Sequence, residues 1–461
     1  MQPLQVVVIG GGAAGFFAAI TCAEVYPQAQ VTLLEAGRQL LSKVRISGGG
    51  RCNVTHACFD PAQLVQYYPR GGKALRGALT RFQAKDTVAW FESHGVKLKT
   101  EADGRMFPVT DNSETIVDCL IDAAEAAGVK IRTGVAVVAI RRELPPPTGE
   151  KEGGVEQEAR GQGAGSKGEL PSTSLQPNEV GQEENPPAPP LPAPLPLFEI
   201  RLKSEEIIKC DRLLLATGSN PSGYKWAKDL GHTIEPPVPS LFTFNIPDPR
   251  LQDLAGVSVE SVRLRLPVAG KANLEQTGPL LITHWGLSGP AVLKLSAWGA
   301  RVLHECHYQM PLVINWLPQY NPEELRKQLL AVRSQLAHRA IATSCPVSIP
   351  RRLWQQLIAY VGIGEEDRWA GLSNKTLNQL IGELTQGSYL IKGKGVFKEE
   401  FVTCGGISLK EVDFKTMESR CCRGLYFAGE ILDIDGVTGG FNFQSAWTTA
   451  SIAGQAMGKL E

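Results

Sequence analysis

The sequence predicts an α/β protein built on a Rossmann-like dinucleotide-binding domain, with a β-rich and helical region inserted toward its C-terminal side. Three observations carry this. Val6-Val7-Val8-Ile9, an apolar run of buried-strand length, enters Gly10-Gly11-Gly12-Ala13-Ala14-Gly15, a G-x-G-x-x-G turn. Strand-like and helix-like segments alternate beyond it. Near the C-terminus a second glycine loop, Thr438-Gly439-Gly440, again feeds a helix-like stretch.

In the first turn, Gly10 releases the chain from the strand, Gly12 lets a pyrophosphate approach backbone, and Gly15 lets helix and strand pack closely. Ala13 and Ala14 complete the loop. Phe16 to Tyr26 reads as a helix whose N-terminal N–H groups and positive dipole end favour phosphates. Val31 to Glu35 reads as a second strand. Glu35 lies 20 residues after Gly15, placed to accept both hydroxyls of a ribose. Its charge disfavours a 2′-phosphate, which argues against NADP in this pocket and leaves NAD and FAD open. The competing reading is a glycine-rich turn in an ordinary α/β protein.

Bulk composition narrows the class. At 461 residues the chain should hold two or more domains. Its 47 basic and 47 acidic residues balance, giving no support to a nucleic-acid or polybasic-membrane partner. Ten cysteines without C-x-x-C spacing suggest neither zinc nor a disulfide framework, so no metal and a reducing compartment are expected. No signal peptide is read, and the glycine-broken run from Val6 to Ile20 is too short to span a bilayer. A soluble, cytoplasmic protein is the expectation.

After Glu35, Ser47-Gly48-Gly49-Gly50-Arg51-Cys52-Asn53 would let backbone wrap against a flat or anionic ligand, with Arg51 as a fixed positive group. A flexible surface turn is the alternative. Residues 73 to 94 read as helical, and Ser113 caps a helix from Glu114 to Ala127. Val129 to Ile140 reads as a strand, with Val135 a candidate beside an adenine or a plain sheet residue. Residues 144–197 are rich in Pro, Gly, Glu and Ser and cannot bury a core, so a disordered or polyproline-like loop is expected. Arg212 to Leu215 is a buried strand ending in Ala216-Thr217-Gly218, a second close approach of backbone to a dinucleotide. Pro236-Pro237 marks a domain exit. From Leu241 to Trp316 short strands dominate, among them Leu241 to Phe244, and Ser288 caps a helix with Pro290 in its first turn. Helices follow at 322–336, 350–361 and 374–384.

Gly424 to Glu430 is a strand running into Gly429 and an acid, ahead of Gly439-Gly440-Phe441-Asn442 and a helix from Ser445 to Met457. A ligand touching both ends of the chain must be long. FAD satisfies this better than NAD, with its adenosine on the first fingerprint and its flavin at the C-terminal loop.

Gly10 to Gly15, Ile46 to Thr55, Thr283-His284-Trp285-Gly286-Leu287-Ser288-Gly289-Pro290, Phe401 to Ile407 and Gly424 to Gln444 resemble the BaiN/RdsA-like (YhiN-like) NAD(P)/FAD-dependent oxidoreductases. The resemblance covers the chain except residues 144–197. It implies a discontinuous FAD-binding domain, residues 1–236 and 395–461, around an insert at 237–394. That insert would be β-barrel-like over 237–320 and helical over 321–394. It implies non-covalent FAD held by Gly12, Ala13, Ala14, Gly15 and Glu35, with Ser47, Gly48, Arg51, Cys52 and Asn53 toward the flavin. Ala216 and Thr217 would line the middle. Gly429 and Glu430 would meet the ribityl–pyrophosphate region, and Gly440, Phe441 and Asn442 the ring. Cys404 stands where the family often has Ala, and Ser219 where a second Gly often follows Ala-Thr-Gly.

The resemblance implies the cofactor more firmly than the reaction. An NAD(P)H-linked reductase or dehydrogenase of a small organic substrate, such as one with a conjugated C=C, leads. A flavin oxidase of a small amine releasing peroxide, and a non-catalytic flavin-binding interaction protein, are alternatives. A reductase needs a transferable proton near the ring. His284, at a strand end before a glycine turn, is the first candidate and Cys52 the second. A buried hydrogen-bonded histidine and a small packed thiol are the plainer readings of the two.

Overall fold

The computed structural model describes residues 3–143, 197–268, 274–395 and 402–459. The loop expected at 144–197 lies outside these, except that the backbone of Leu197 opens a strand. In chain order the elements that position the site are β1 (Gln5–Ile9), α1 (Ala13–Val25), β2 (Gln30–Glu35), β3 (Lys130–Thr133), β4 (Arg212–Leu215), β5 (Ile234–Ser240), α2 (Pro290–Trp298), β6 (Val402–Ile407), β7 (Leu425–Phe427) and α3 (Phe441–Met457).

The central sheet runs β7-β4-β1-β2-β3, all parallel, and continues past β7 into two short antiparallel strands. The alternation of buried strands and crossover segments dictates this, because strands covered on both faces read as unbroken apolar runs. The chain leaves β1 toward β2 on one side, while β4 lies on the other. A crevice therefore opens outside the carboxyl ends of β1 and β4. α1 and α3 pack against each other at small residues. A Cβ on Gly454 would fall 2.7 Å from the Ala18 carbonyl oxygen. This contact joins the two ends of the chain behind the crevice.

The insert is a seven-stranded antiparallel sheet with Gly387–Ile391 at one edge and Gly393–Lys394 at the other. One residue separates these edge strands in sequence, so the sheet must curl until its edges meet, which is a barrel-like closure. Helices at Pro322–Gln335, Arg351–Tyr360 and Asn374–Gln386 share its apolar core, centred on Trp316, Trp354 and Trp369.

Several local expectations need correction. The stretch 73–94 is helical with a break: it forms Gly72–Leu79 and Ala84–Ser93, because Gln83 and Asp86 make a capping box that starts the second afresh. The strand expected over 129–140 is split between two sheets, since Gly134 turns the chain in the left-handed region. Ser288 ends a strand and caps nothing; Gly289 is the N-cap of α2, with Pro290 at its first position. The strand expected over 241–244 is reduced to Phe244–Asn245, and Leu241 is left-handed. Pro236 and Pro237 sit within β5, at the register shift where it pairs antiparallel with β6. Prolines donate no ladder hydrogen bond, so a bulge accommodates them. The chain thus passes into the insert and back through two paired strands.

Candidate functional site

The paired strands place four chain segments at one rim. Ile9 lies beside Leu34 and Leu215, and Leu215 beside Phe427. Gly10, Glu35, Ala216–Gly218 and Gly429–Glu430 follow directly. The first turn is closed by two contacts that leave no room for a side chain. A Cβ on Gly10, at φ +116°, would fall 2.4 Å from the Ala216 carbonyl oxygen, and one on Gly15 would fall 1.8 Å from that of Gly10. Gly12 differs, since a Cβ there would meet nothing within 4 Å. It opens α1, whose first turn has neither a side-chain cap nor an acid. Uncapped N–H groups beneath open space suit a phosphate. Ala14 is buried against Gly429, where a Cβ would lie 2.8 Å from the Ala14 methyl.

Glu35 accepts the Gly11 N–H on one carboxylate oxygen at 2.7 Å and the Gly37 N–H on the other at 2.7 Å. Each oxygen retains acceptor capacity for a ribose hydroxyl. Val135 donates its N–H to the Glu35 carbonyl at 2.9 Å, so its backbone edges the same end of the crevice. Thr217 turns its hydroxyl inward, where a Cβ on Gly223 would fall 1.9 Å away, and leaves backbone at the rim. Glu430 pairs with Lys43 and accepts the Thr403 N–H at 3.0 Å. That pair ties the segment after β2 to the segment after β7.

Ser47 closes a short helix by donating to the Val44 carbonyl at 3.0 Å. Gly48, Gly49 and Gly50 then run left-handed and exposed, with open space at the last two. Arg51 is held in place, and its charge is paired. Its guanidinium pairs with Glu101 at 2.6 Å and Asp111 at 3.5 Å, and lies 4.0 Å over the Phe107 ring. Cys52 is fully buried, and burial pushes its thiol up to about 12. A neutral thiol without accessible surface is a packed group, not a proton donor at an open cleft. The Asn53 carboxamide, with its oxygen toward Gly440, accepts the Gly440 N–H at 3.0 Å and donates to the Thr55 carbonyl at 3.0 Å. It thereby serves the uncapped end of α3.

The C-terminal loop docks onto this motif. A Cβ on Gly440 would lie 2.5 Å from the Thr55 carbonyl oxygen. Asn442 braces the loop through both Gly436 backbone groups, at 2.8 and 2.9 Å. Gly439 offers its carbonyl oxygen to His56 Nδ1 at 3.0 Å. α3 begins at Phe441, four residues earlier than expected, which places Phe441 and Asn442 in its first turn. His284 is exposed in the turn before Gly286–Ser288, with exposed Trp285 beside it. It is neither the buried histidine of the plainer reading nor bonded to any described residue.

Two family descriptions fit the chain in this order. The HI0933-like protein Rossmann domain matches residues 4–148, and the HI0933-like protein barrel and H2TH domain matches residues 238–402. The chain belongs to the HI0933-like family. It is a flavin-dependent oxidoreductase of that family. It is 27% identical to the 3-dehydro-bile acid delta(4,6)-reductase of Clostridium scindens over 97% of this chain and 98% of that one. It is 28% identical to the ribosomal RNA dihydrouridine synthase of Escherichia coli K12 over 98% of this chain and 97% of that one.

Sequence reasoning passed over several residues that this member of the HI0933-like family brings to the C-terminal loop. The His56 ring stacks on Phe441 with centroids 4.6 Å apart, and Tyr67 stacks on Phe441 at 4.3 Å. Burial holds the His56 imidazole below its ordinary range, and the charges of Lys294 and Arg105 act the same way. Arg70 grips the buried Asp435 carboxylate and donates to the Ala297 carbonyl of the insert at 2.8 Å. The one signal for His56 was its place directly after the Asn53-Val54-Thr55 run; Tyr67 and Arg70 carried none.

Proposed function

We propose that the crevice holds non-covalent FAD and that the protein uses it to saturate a C=C conjugated with a carbonyl, with NAD(P)H as transient reductant. The observation that carries this is the docking of the Gly439–Asn442 loop onto residues 53–56 beside an open, uncapped α1 N-terminus. Gly12, Ala13, Ala14 and Gly15 would receive the pyrophosphate and Glu35 the adenosine ribose. Ala216, Thr217 and Gly218 would line the middle with Gly429 and Glu430. Ser47, Gly48, Asn53, Gly439, Gly440, Phe441 and Asn442 would bound the ring end. The donor set supports this reading: the first turn of α1 has no side-chain cap, as a phosphate would need, and Glu35, anchored on two backbone amides, keeps acceptor capacity for a ribose.

The relatives' names support the reaction class. A delta(4,6)-reductase of a 3-dehydro bile acid and a dihydrouridine synthase both saturate a ring C=C in conjugation with a carbonyl. When bound, the flavin would supply hydride for such a step. The chain's own part is to exclude water, orient the acceptor and hold charge. A small organic acceptor suits the balanced charge of 47 basic and 47 acidic residues. The synthase names weigh against the expectation of no nucleic-acid partner, so the substrate test needs both arms. Among the described residues no helix is long and apolar enough to cross a membrane.

The test is anaerobic reduction of the purified flavoprotein by NADH and by NADPH, followed at the flavin band near ~450 nm, a property of the cofactor. Bleaching by either, and reoxidation by a cyclic enone or by a uridine-containing RNA oligomer, is expected. No bleaching by either overturns the NAD(P)H-linked reductase.

A further inference from the structure

At the edge of the central sheet, beyond β7, the short antiparallel strands Val412–Asp413 and Glu418–Ser419 bring three groups of different chemistry together. His232 lies between the helix Pro221–Asp229 and β5. Glu411 closes the single turn Leu409–Glu411 that follows β6. Cys421 lies in the segment that leads into β7. A ring nitrogen of His232, a carboxylate oxygen of Glu411 and the Cys421 sulfur all lie within 4.8 Å of one another. The expectation of no metal rests on cysteine spacing, which registers only ligands close in sequence. These three meet through the pairing of β5 with β6 and of the strands beside β7.

Each group is held in a form that can ligate. His232 is buried, and its Nδ1 faces the Ala227 carbonyl at 3.1 Å. A carbonyl only accepts, so the proton sits on Nδ1 and Nε2 carries a lone pair. A backbone carbonyl fixes the tautomer and ring orientation of metal-binding histidines in the same way. Nε2 turns toward the Cys421 segment: it accepts from the Ser419 hydroxyl at 2.8 Å, whose oxygen takes the N–H groups of Cys421 and Cys422 at 3.0 and 2.8 Å. The Glu411 carboxylate accepts the Thr233 N–H at 2.8 Å, one residue from His232, and keeps acceptor capacity. Cys421 is exposed and in no disulfide.

We propose that His232, Glu411 and Cys421 bind a zinc ion. Imidazole nitrogen, thiolate sulfur and carboxylate oxygen are zinc donors, whereas calcium and magnesium take oxygen. Thiolate and carboxylate together balance the charge of the dication, and water completes the tetrahedron. Ligand atoms around tetrahedral zinc stand roughly 3.3–3.5 Å apart, a contraction that rotation of the exposed Cys421 side chain supplies. Zinc replaces the Ser419 proton at the Nε2 lone pair, and the Cys421 thiol loses its proton to solvent as the S–Zn bond forms. The ion ties the start of β5, the turn after β6 and the approach to β7, the frame through which the chain enters and leaves the insert.

The probe is Zn²⁺ itself, titrated into chelator-washed holoprotein against a chromogenic zinc indicator. One zinc per chain is expected to be taken from the indicator. Cys421→Ser is expected to weaken binding about 100-fold or more and Glu411→Gln about tenfold or more, because groups merely behind the ligands already carry factors of that order. Cys306→Ser, which removes an exposed thiol elsewhere, is expected to bind as wild type does. In metal-stripped protein a disulfide reagent should label Cys306 and Cys421 alike, and zinc should slow labelling of Cys421 about tenfold or more while leaving Cys306 unchanged, read by peptide mass. Zinc should raise the urea midpoint of wild type and leave that of Cys421→Ser in place. No zinc taken by wild type, equal affinity in wild type and Cys421→Ser, equal protection of both cysteines, or a wild-type midpoint that zinc does not move overturns the proposal. None of these readouts uses flavin turnover, so the result stands apart from the reductase reading.

Discussion

Arg70 grips both carboxylate oxygens of Asp435, which has no solvent exposure, and Ser240 donates to the same carboxylate at 2.9 Å. Three chain segments meet there: the helical stretch before Gly71, the strand leading into the insert and the loop leading into α3. Breaking one partner of such a pair leaves a buried charge without compensation. Arg70→Met should cost about 3–5 kcal/mol in urea unfolding. The double variant Arg70→Met/Asp435→Leu should recover part of that loss. A single variant within 1 kcal/mol of wild type, on the order of a surface pair, would show that the joint lies elsewhere.

Gly12 and Gly15 should separate cofactor retention from folding. Alanine at Gly15 drives a methyl into the Gly10 carbonyl, so α1 must shift; apo-protein stability should fall by about 1–3 kcal/mol as in other overpacked sites. Alanine at Gly12 has room and an ordinary φ of −93°. Its apo stability should stay within about 1 kcal/mol of wild type, while flavin content after purification drops because the methyl occupies the phosphate approach. Equal flavin content in Gly12→Ala and wild type would move the pyrophosphate away from this turn.

His56 should be neutral at pH 7 with its proton on Nδ1, because the Gly439 carbonyl can only accept. Nitrogen chemical shifts read the tautomer directly. Burial depresses its folded pKa below the usual value of about 6.5. As pH falls below that value, the unfolded chain takes up a proton that the folded chain refuses, so stability is lost through this window and is complete above it. His56→Asn should flatten that part of the pH profile and leave the share of His232, which burial also depresses. A folded His56 that titrates above 6.5, its ordinary value, would contradict the packing around Phe441.

Cys52 should behave as an inert thiol. Cys306 and Cys421 are exposed and should react first with a disulfide reagent, whereas Cys52 should react only on unfolding. Cys52→Ser should keep the rate of flavin reduction by NAD(P)H within about threefold, the change expected of a packed group that transfers no proton. Native-state labelling of Cys52, or a loss of 100-fold or more, the scale of a missing acid or base, would restore it as a proton donor.

How much was legible follows from how far each residue's role depends on its neighbours in sequence. The β1–α1 turn, Glu35 and the glycine loop before α3 were readable because strand, tight turn and helix N-terminus are local events with local signatures. The same holds for the parallel sheet and the β-rich, helical insert, whose apolar periods are written within single elements. Arg51 was legible as a fixed positive group, but only the fold brings Glu101, Asp111 and Phe107 to it. Cys52 was the second proton-donor candidate beside the plainer reading of a small packed thiol, and its burial favours the packed thiol. Tyr67 and Arg70 were not legible at all, and His56 only through its place directly after Asn53-Val54-Thr55. Each acquires its role through a partner far along the chain, Phe441 for His56 and Tyr67 and Asp435 for Arg70. The sequence by itself determined that two glycine loops open two helices, at Gly12 and at Gly440. Only the tertiary structure decided which charges stand free beside them, because a charge is free or paired according to what folding packs against it.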